Sequence, residues 1–202
     1  MKLLKPAKSV GRPRQFDPDQ ALGRALEVFW KKGYEGTSLS DLTDAMGINR
    51  PSLYAVFGNK EDLFRKALDR YSEAQAASMN QAMNQPTARG AVEQLLMAGA
   101  ESMTNPHNPH GCLLVQGALA CGEGAECIRQ ELVHRRAAIV AALRQRLERA
   151  KSEGDLPLDS EPGDLARYVS AVSSGLSVMA TGGASRNELR RVVQTAMRAW
   201  PK

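Results

Sequence analysis

Between Thr37 and Lys60 the apolar and polar positions fall into blocks that read as a helix, a tight turn, a second short helix and the start of a third. Leu39, Leu42 and Met46 recur at helical spacing and give the first of these helices one apolar face. Ser38 is placed to cap it, with Asp41 three residues on as the reciprocal partner. Gly47 ends it, because glycine enters the left-handed cap conformation without a Cβ penalty. Asn49 caps the next helix and Pro51 occupies its first turn, where a missing N–H costs little. Leu53 and Phe57 then face inward, leaving Arg50, Ser52, Tyr54 and Ala55 outward, and Gly58 stops the helix. Asn59 and Asp62 repeat the capping pair for the helix that follows.

The same reading predicts helices along the rest of the chain. Asp17, Pro18 and Gln20 form a start signal with a capping box, ahead of a Leu22, Ala25, Leu26, Phe29 stripe closed by Lys31, Lys32 and Gly33. The helix from Lys60 extends to about Met83, with Leu63, Ala67, Tyr71 and Ala74 toward the core. A fifth helix covers about 87–104 with Val92, Leu95, Leu96, Gly99 and Met103 on its apolar face. The run from Asn105 to Gly111 is a loop by its Pro, Asn and Gly content. A short apolar helix spans 112–120, and a long one follows over about 125–152 with an Ile128, Leu132, Ile139, Leu143, Leu147 stripe. Two more, about 163–181 and 186–200, are separated by Gly182-Gly183, the second opened by a Ser185–Glu188 box. The fold class is all-α.

Two short helices joined by a glycine turn are the layout of a helix-turn-helix, which presents its second helix to the major groove of DNA. Any helical bundle contains such pairs, so the outward face matters more. It offers one guanidinium, two hydroxyls and a small residue, groups suited to base edges and phosphates. The stretch LSDLTDAMGINRPSLYAVFGNKEDLF resembles the DNA-binding signature of the TetR/AcrR family of transcriptional repressors. The resemblance rests on Gly47-Ile48, Ser52-Leu53-Tyr54, Phe57 and Lys60 to Phe64, with Ala21 to Leu39 matching the family's first helix and its link to the second. It covers about the first third of the chain; beyond it only length and helical character agree. It implies a homodimeric, ligand-released repressor acting on double-stranded, palindromic operator DNA. Arg50, Pro51, Ser52, Tyr54 and Ala55 would read or position the major groove, and Thr37, Ser38 and Lys60 would hold phosphates.

Charge sharpens this picture. The whole chain is +5, and residues 1–16 alone carry Lys2, Lys5, Lys8, Arg12 and Arg14 with no acid. Net basicity therefore resides in an N-terminal arm, as suits contact with a polyanion. Arg12 and Arg14 flank Pro13 on a stiffened segment suited to a narrow minor groove, the alternative being a solubilising tail. The arm lacks an apolar stretch behind it and no run of about 18 apolar residues occurs, so neither a secretory signal nor a membrane span is expected and the chain reads as cytoplasmic.

The expected organisation is an arm over 1–16, a DNA-binding domain over 17–71 and a ligand-binding and dimerisation domain over 72–202, with the boundary inside one continuous helix. Met79, Met83, Leu95, Leu96, Met103, Leu114 and Val115 come from helices that should meet, and methionine suits adaptable apolar sites, so these are the candidate pocket residues; ordinary bundle core is the competing reading. Small residues at four-residue spacing in the eighth helix, Ala171, Gly175 and Met179, join Val172, Leu176, Leu189, Val193 and Met197 as a candidate helix–helix seam between subunits, or within one.

Enzyme chemistry finds little support: no phosphate-cradling glycine loop, metalloprotease helix or zinc-ribbon spacing is present. No cofactor or metal is expected. His107, His110 and Cys112 lie close in sequence, which keeps a Cys/His enzyme as a remote alternative. Cys121 and Cys127 flank a glycine-rich break, and a thiol near a helix N-terminus has its pKa lowered. That motivates the alternative of a thiol-based redox or electrophile sensor on the same scaffold. Three irregularly spaced cysteines argue against a disulfide framework.

Overall fold

The computed structural model describes residues 16–119 and 125–201, the side chains of residues 118 and 119 excepted. Among them are nine helices: α1 (Pro18–Lys32), α2 (Leu39–Met46), α3 (Arg50–Phe57), α4 (Lys60–Met83), α5 (Ala88–Met103), α6 (Leu113–Leu119), α7 (Glu126–Ser152), α8 (Pro162–Thr181) and α9 (Arg186–Arg198). No helix among the described residues is long and apolar enough to cross a membrane. Arg12, Arg14 and Cys121 lie outside the described residues.

Local capping chemistry sets the helix starts. Capping boxes form at Ser38–Asp41, Asn59–Asp62 and Ser185–Glu188, each satisfying two N–H groups that the first turn leaves orphaned. The box expected at Asp17 does not form: its carboxylate instead accepts from the Asp19 N–H, at 2.9 Å, and Gln20 takes no part. Gly47 adopts φ 67°, ψ 33°, so the left-handed turn between α2 and α3 requires glycine.

Two apolar cores result. The first gathers Ala25, Phe29 and Trp30 of α1, Leu42 and Met46 of α2, Leu53 and Phe57 of α3, and Leu63, Phe64, Ala67, Leu68 and Tyr71 of α4. It also takes in Leu113 and Leu114 of α6 and Ile128 and Leu132 of α7. Phe16 packs against it too, its ring 6.5 Å from Phe57, so the last residue assigned to the arm belongs to the folded body. On α1 the buried face is Ala21, Ala25, Phe29 and Trp30, with Leu22 and Leu26 only half-buried at its edge. The second core joins α5, the later part of α7, α8 and α9 through Val92, Leu96, Leu143, Leu147, Val169, Leu176, Leu189, Val193 and Trp200.

The helix α4 runs unbroken for about 36 Å from the first core to the second. Beyond Tyr71 most of it is exposed, Ala74 included, contrary to its expected inward place. Its far end is held by α7: the buried Arg146 donates from Nε to the Met83 carbonyl at 3.0 Å and from Nη2 to the Gln85 carbonyl at 2.9 Å. A guanidinium there meets both the orphan carbonyls and the negative end of the helix dipole.

Candidate nucleic-acid interface and cavity

The α2–turn–α3 unit exposes one face of α3 and buries the other. Leu53 and Phe57 are buried, while Arg50, Pro51, Ala55 and Tyr54 are exposed, Tyr54 to 49%. Ser52 is half-buried, and its N–H donates to the capping Asn49 side chain at 2.9 Å. The Arg50 guanidinium donates to Ser40 Oγ at 3.2 Å, which ties the start of α3 to α2. Sequence reading passed over Ser40, whose partner lies ten residues on. Lys66 Nζ donates to the Phe57 carbonyl at 2.9 Å and so caps the other end of α3.

The residues expected to hold phosphate divide. Thr37 is only 1% exposed and its hydroxyl donates to the Gly33 carbonyl at 2.6 Å, so it closes the turn after α1 and offers nothing to a ligand. Ser38 is exposed, but its hydroxyl accepts from the Asp41 N–H at 3.0 Å and donates to the Asp41 carboxylate at 2.8 Å. Asp41 also binds Lys32 Nζ at 2.6 Å; that bond, with those from Ser38, pulls its pKa down to about 2. Lys60 Nζ stands 4.4 Å above the Tyr34 ring, a cation–π contact. Partial burial lowers the Lys60 pKa from its usual value, opposed by the Glu35 carboxylate.

A cavity of about 430 Å³ opens where α4, α5, α6, α7 and α8 meet. Of the expected pocket residues, Met79, Leu95, Met103, Leu114 and Val115 line it. Leu96 does not, being buried in the second core, and Met83 packs against that core instead. Ile139, expected within the α7 core stripe, is 37% exposed and lines the cavity. Sequence reading missed Tyr71, Cys112, Arg135 and Arg136 as lining residues, along with Ser170, Ser173 and Ser174 of α8. Tyr71 and Cys112 touch both the cavity and the first core.

The thiols fall differently from expectation. Cys127 lies at the start of α7, but it donates to the Glu61 carboxylate at 3.3 Å, and that bond pushes its pKa up. The helix terminus therefore does not activate it. His107 and His110 are exposed, and among the described residues no three His, Cys, Asp or Glu side chains gather in a way that could hold a metal ion.

On α8 and α9 the candidate seam residues separate into two sets. Leu176, Leu189, Val193 and Met197 are buried inside the subunit. Ala171, Gly175 and Met179 are exposed or half-buried, as is Val172.

Comparison with known proteins agrees with this architecture. Residues 21–67 match the family described as "Bacterial regulatory proteins, tetR family", and residues 88–196 match "Tetracyclin repressor-like, C-terminal domain". The chain belongs to the TetR family. It is 35% identical over 197 residues to the HTH-type transcriptional repressor ComR of Escherichia coli K12, covering 96% of this chain and 94% of that one. It is 30% identical to the HTH-type transcriptional repressor BdcR of the same strain, over 92% of this chain and 89% of that one. Among solved structures, a cysteine mutant of the TetR family transcriptional regulator CifR complexed with 26-bp double-strand operator DNA superposes with a TM-score of 0.90. The two share 42% identity, covering 94% of this chain and all of that one. As a TetR-family member, this chain is a DNA-binding transcriptional regulator, and α2–α3 is its helix-turn-helix.

Proposed function

We propose that this regulator is a homodimeric repressor released from a palindromic operator by a small molecule in the α4–α8 cavity. Arg50, Pro51, Ser52, Tyr54 and Ala55 read or position the major groove. Ser38 and Lys60 flank the phosphates, and the arm with Arg12 and Arg14 reaches the adjoining groove. The observation that carries the reading is that part of the cavity wall belongs to helices that also build the first core. Tyr71 of α4 and Leu114 of α6 line the cavity and sit in the first core. A ligand that fills the cavity thus acts on α4 and α6 directly. It favours a dimer whose two α3 helices no longer match successive major grooves, about 34–36 Å apart.

The dimer seam in this reading is the outward row of α8: Tyr168, Ala171, Gly175, Val178 and Met179. Val178 is 54% exposed, and a Cβ built on Gly175 meets nothing within 4 Å. A mid-helix glycine costs stability, and no neighbour within the subunit requires one there. Close approach of a second copy supplies the reason.

The test is selection of operator from a genomic fragment library at moderate salt, with the mass of the free protein measured alongside. A dimer enriching one palindromic site is the expected result. A monomer, or salt-sensitive binding without a preferred site, would overturn it.

A thiol-sensing reading is favoured at Cys112 rather than Cys127, since Cys112 lines the cavity and accepts a hydrogen bond from the Tyr71 hydroxyl. Alkylation that leaves operator affinity unchanged in the wild type would remove this reading.

A further inference from the structure

The charges around the cavity do not balance. Its lining includes two cations, Arg135 and Arg136, and no aspartate or glutamate. Arg135 is already neutralised from outside the lining: its Nη2 pairs with Asp69 at 2.6 Å and its Nε with Glu131 at 2.7 Å. Arg136, the next residue on α7, has no carboxylate at ion-pair distance among the described residues, and its buried Nε donates to no protein acceptor. A guanidinium carries five donors and stays charged in any protein environment. Arg136 is half-buried, and holding its Nε out of water without an acceptor is costly. The rest of the lining is largely aliphatic, with Met79, Leu95, Met103, Leu114 and Ile139 among it, while Ser170, Ser173 and Ser174 add hydroxyls from the α8 wall.

We propose that the cavity takes an amphipathic carboxylate, its charged end paired with Arg136 and its apolar body against the methionine and leucine walls. Guanidinium and carboxylate match in a two-bond fork, so a carboxylate satisfies the orphaned Nε–H and pairs with the charge as a neutral head group cannot. The volume of about 430 Å³ suits a small organic acid, near the lower part of the range for small-molecule sites. Arg135 then serves as a fixed strut between α4 and α7, and Arg136 as the recognition cation. This rests on the reading of the cavity as the effector site and names the chemical class that the site selects.

The experiment compares decanoate with 1-decanol, equal in chain length and differing in charge, by calorimetric titration of the full chain at neutral pH below the micelle concentration. The wild type is expected to bind decanoate at least about tenfold more tightly than decanol, the range of a charge-assisted hydrogen bond. Arg136→Gln should abolish that preference, weakening decanoate much more than decanol, with an unchanged circular dichroism spectrum showing that the variant is folded. Arg136→Lys keeps the charge and should retain part of the preference; it replaces the Gln variant if that one does not fold. Equal affinity of the wild type for the two probes overturns the carboxylate assignment, and a preference that survives in Arg136→Gln overturns the pairing with Arg136; both outcomes leave the cavity reading intact. Failure of both probes to bind the wild type overturns the cavity reading as well.

Discussion

The Tyr71 hydroxyl donates to Cys112 Sγ at 3.3 Å, and this hydrogen bond joins α4 to the entry of α6 at the edge of the cavity. Around it, the Trp30 ring meets Tyr71 edge-on at 4.9 Å, extending the packing into α1. On the other side, the Cys112 N–H donates to Ser177 Oγ of α8 at 2.8 Å. Tyr71 therefore stands between the cavity and the DNA-binding body.

Replacing Tyr71 separates packing from hydrogen bonding. Tyr71→Phe should cost about 1 kcal/mol of stability, the worth of one ordinary hydrogen bond. Tyr71→Ala should cost about 3–5 kcal/mol, as for removal of a large aromatic from a core. Burial also pushes the Tyr71 phenol well above its usual pKa. The unfolded chain releases this proton above about pH 10 and the folded one only at higher pH. Stability from this group is present below that pH and falls as pH rises beyond it. Denaturant titrations of wild type and Tyr71→Phe between pH 8 and about 11 should show the difference, and parallel curves would count against it.

Arg50→Ala tests the reading face. If Arg50 reads a base, its removal should weaken operator binding by about 1–3 kcal/mol and relax selectivity at one position. An equal effect on operator and random DNA would instead make Arg50 a phosphate ligand, with a shallower salt dependence in the variant.

The Lys32–Asp41–Ser38 cluster sets an acid limit. The Asp41 pKa is depressed to about 2 in the folded chain, first by the Lys32 hydrogen bond. Its contribution is complete above the unfolded value of about 3.9 and is lost as pH falls through the folded one. Asp41→Asn should remove that part of the acid dependence, read as unfolding midpoint against pH from about 5 to 2. An unchanged profile would place the acid sensitivity elsewhere. Ser38→Ala should cost about 1 kcal/mol at neutral pH, because it removes the cap.

Arg146→Met tests the clamp on the far end of α4. Two carbonyls lose a charged donor, at roughly 1.5–3 kcal/mol each at most. We expect a loss near the lower end, since methionine fills part of the space, together with faster amide exchange at the end of α4. Exchange unaltered there would show that the clamp is not what orders it.

Gly175 separates the two readings of α8. With open space around its Cβ, Gly175→Ala should stabilise an isolated subunit by about 0.5–1 kcal/mol through helix propensity. If a second copy packs there, the same change should weaken the dimer, and Val178→Asp should abolish it. Sedimentation of the two variants decides between these outcomes.

Much of this protein follows from short stretches of sequence. Caps, glycine turns and apolar stripes act within a few residues, so the helices and the exposed face of α3 were legible from spacing, and the family motifs lie in one segment. What spacing does not carry is the partner of each side chain. Thr37 looks like a phosphate ligand until the Gly33 carbonyl, brought under it by the turn after α1, takes its hydroxyl. Cys127 looks activated by its helix terminus until Glu61, 66 residues away, meets its thiol. In α8 the four-residue rows are visible, but whether Leu176 or Gly175 faces inward depends on where α5, α7 and α9 lie. The cavity depends on this most of all. Its apolar walls were partly foreseen because methionine and leucine mark helix faces, whereas Arg136 became notable only once folding gave Arg135 its two carboxylates and left Arg136 without one. Local chemistry determined the elements, and long-range packing decided which polar groups remained unpaired.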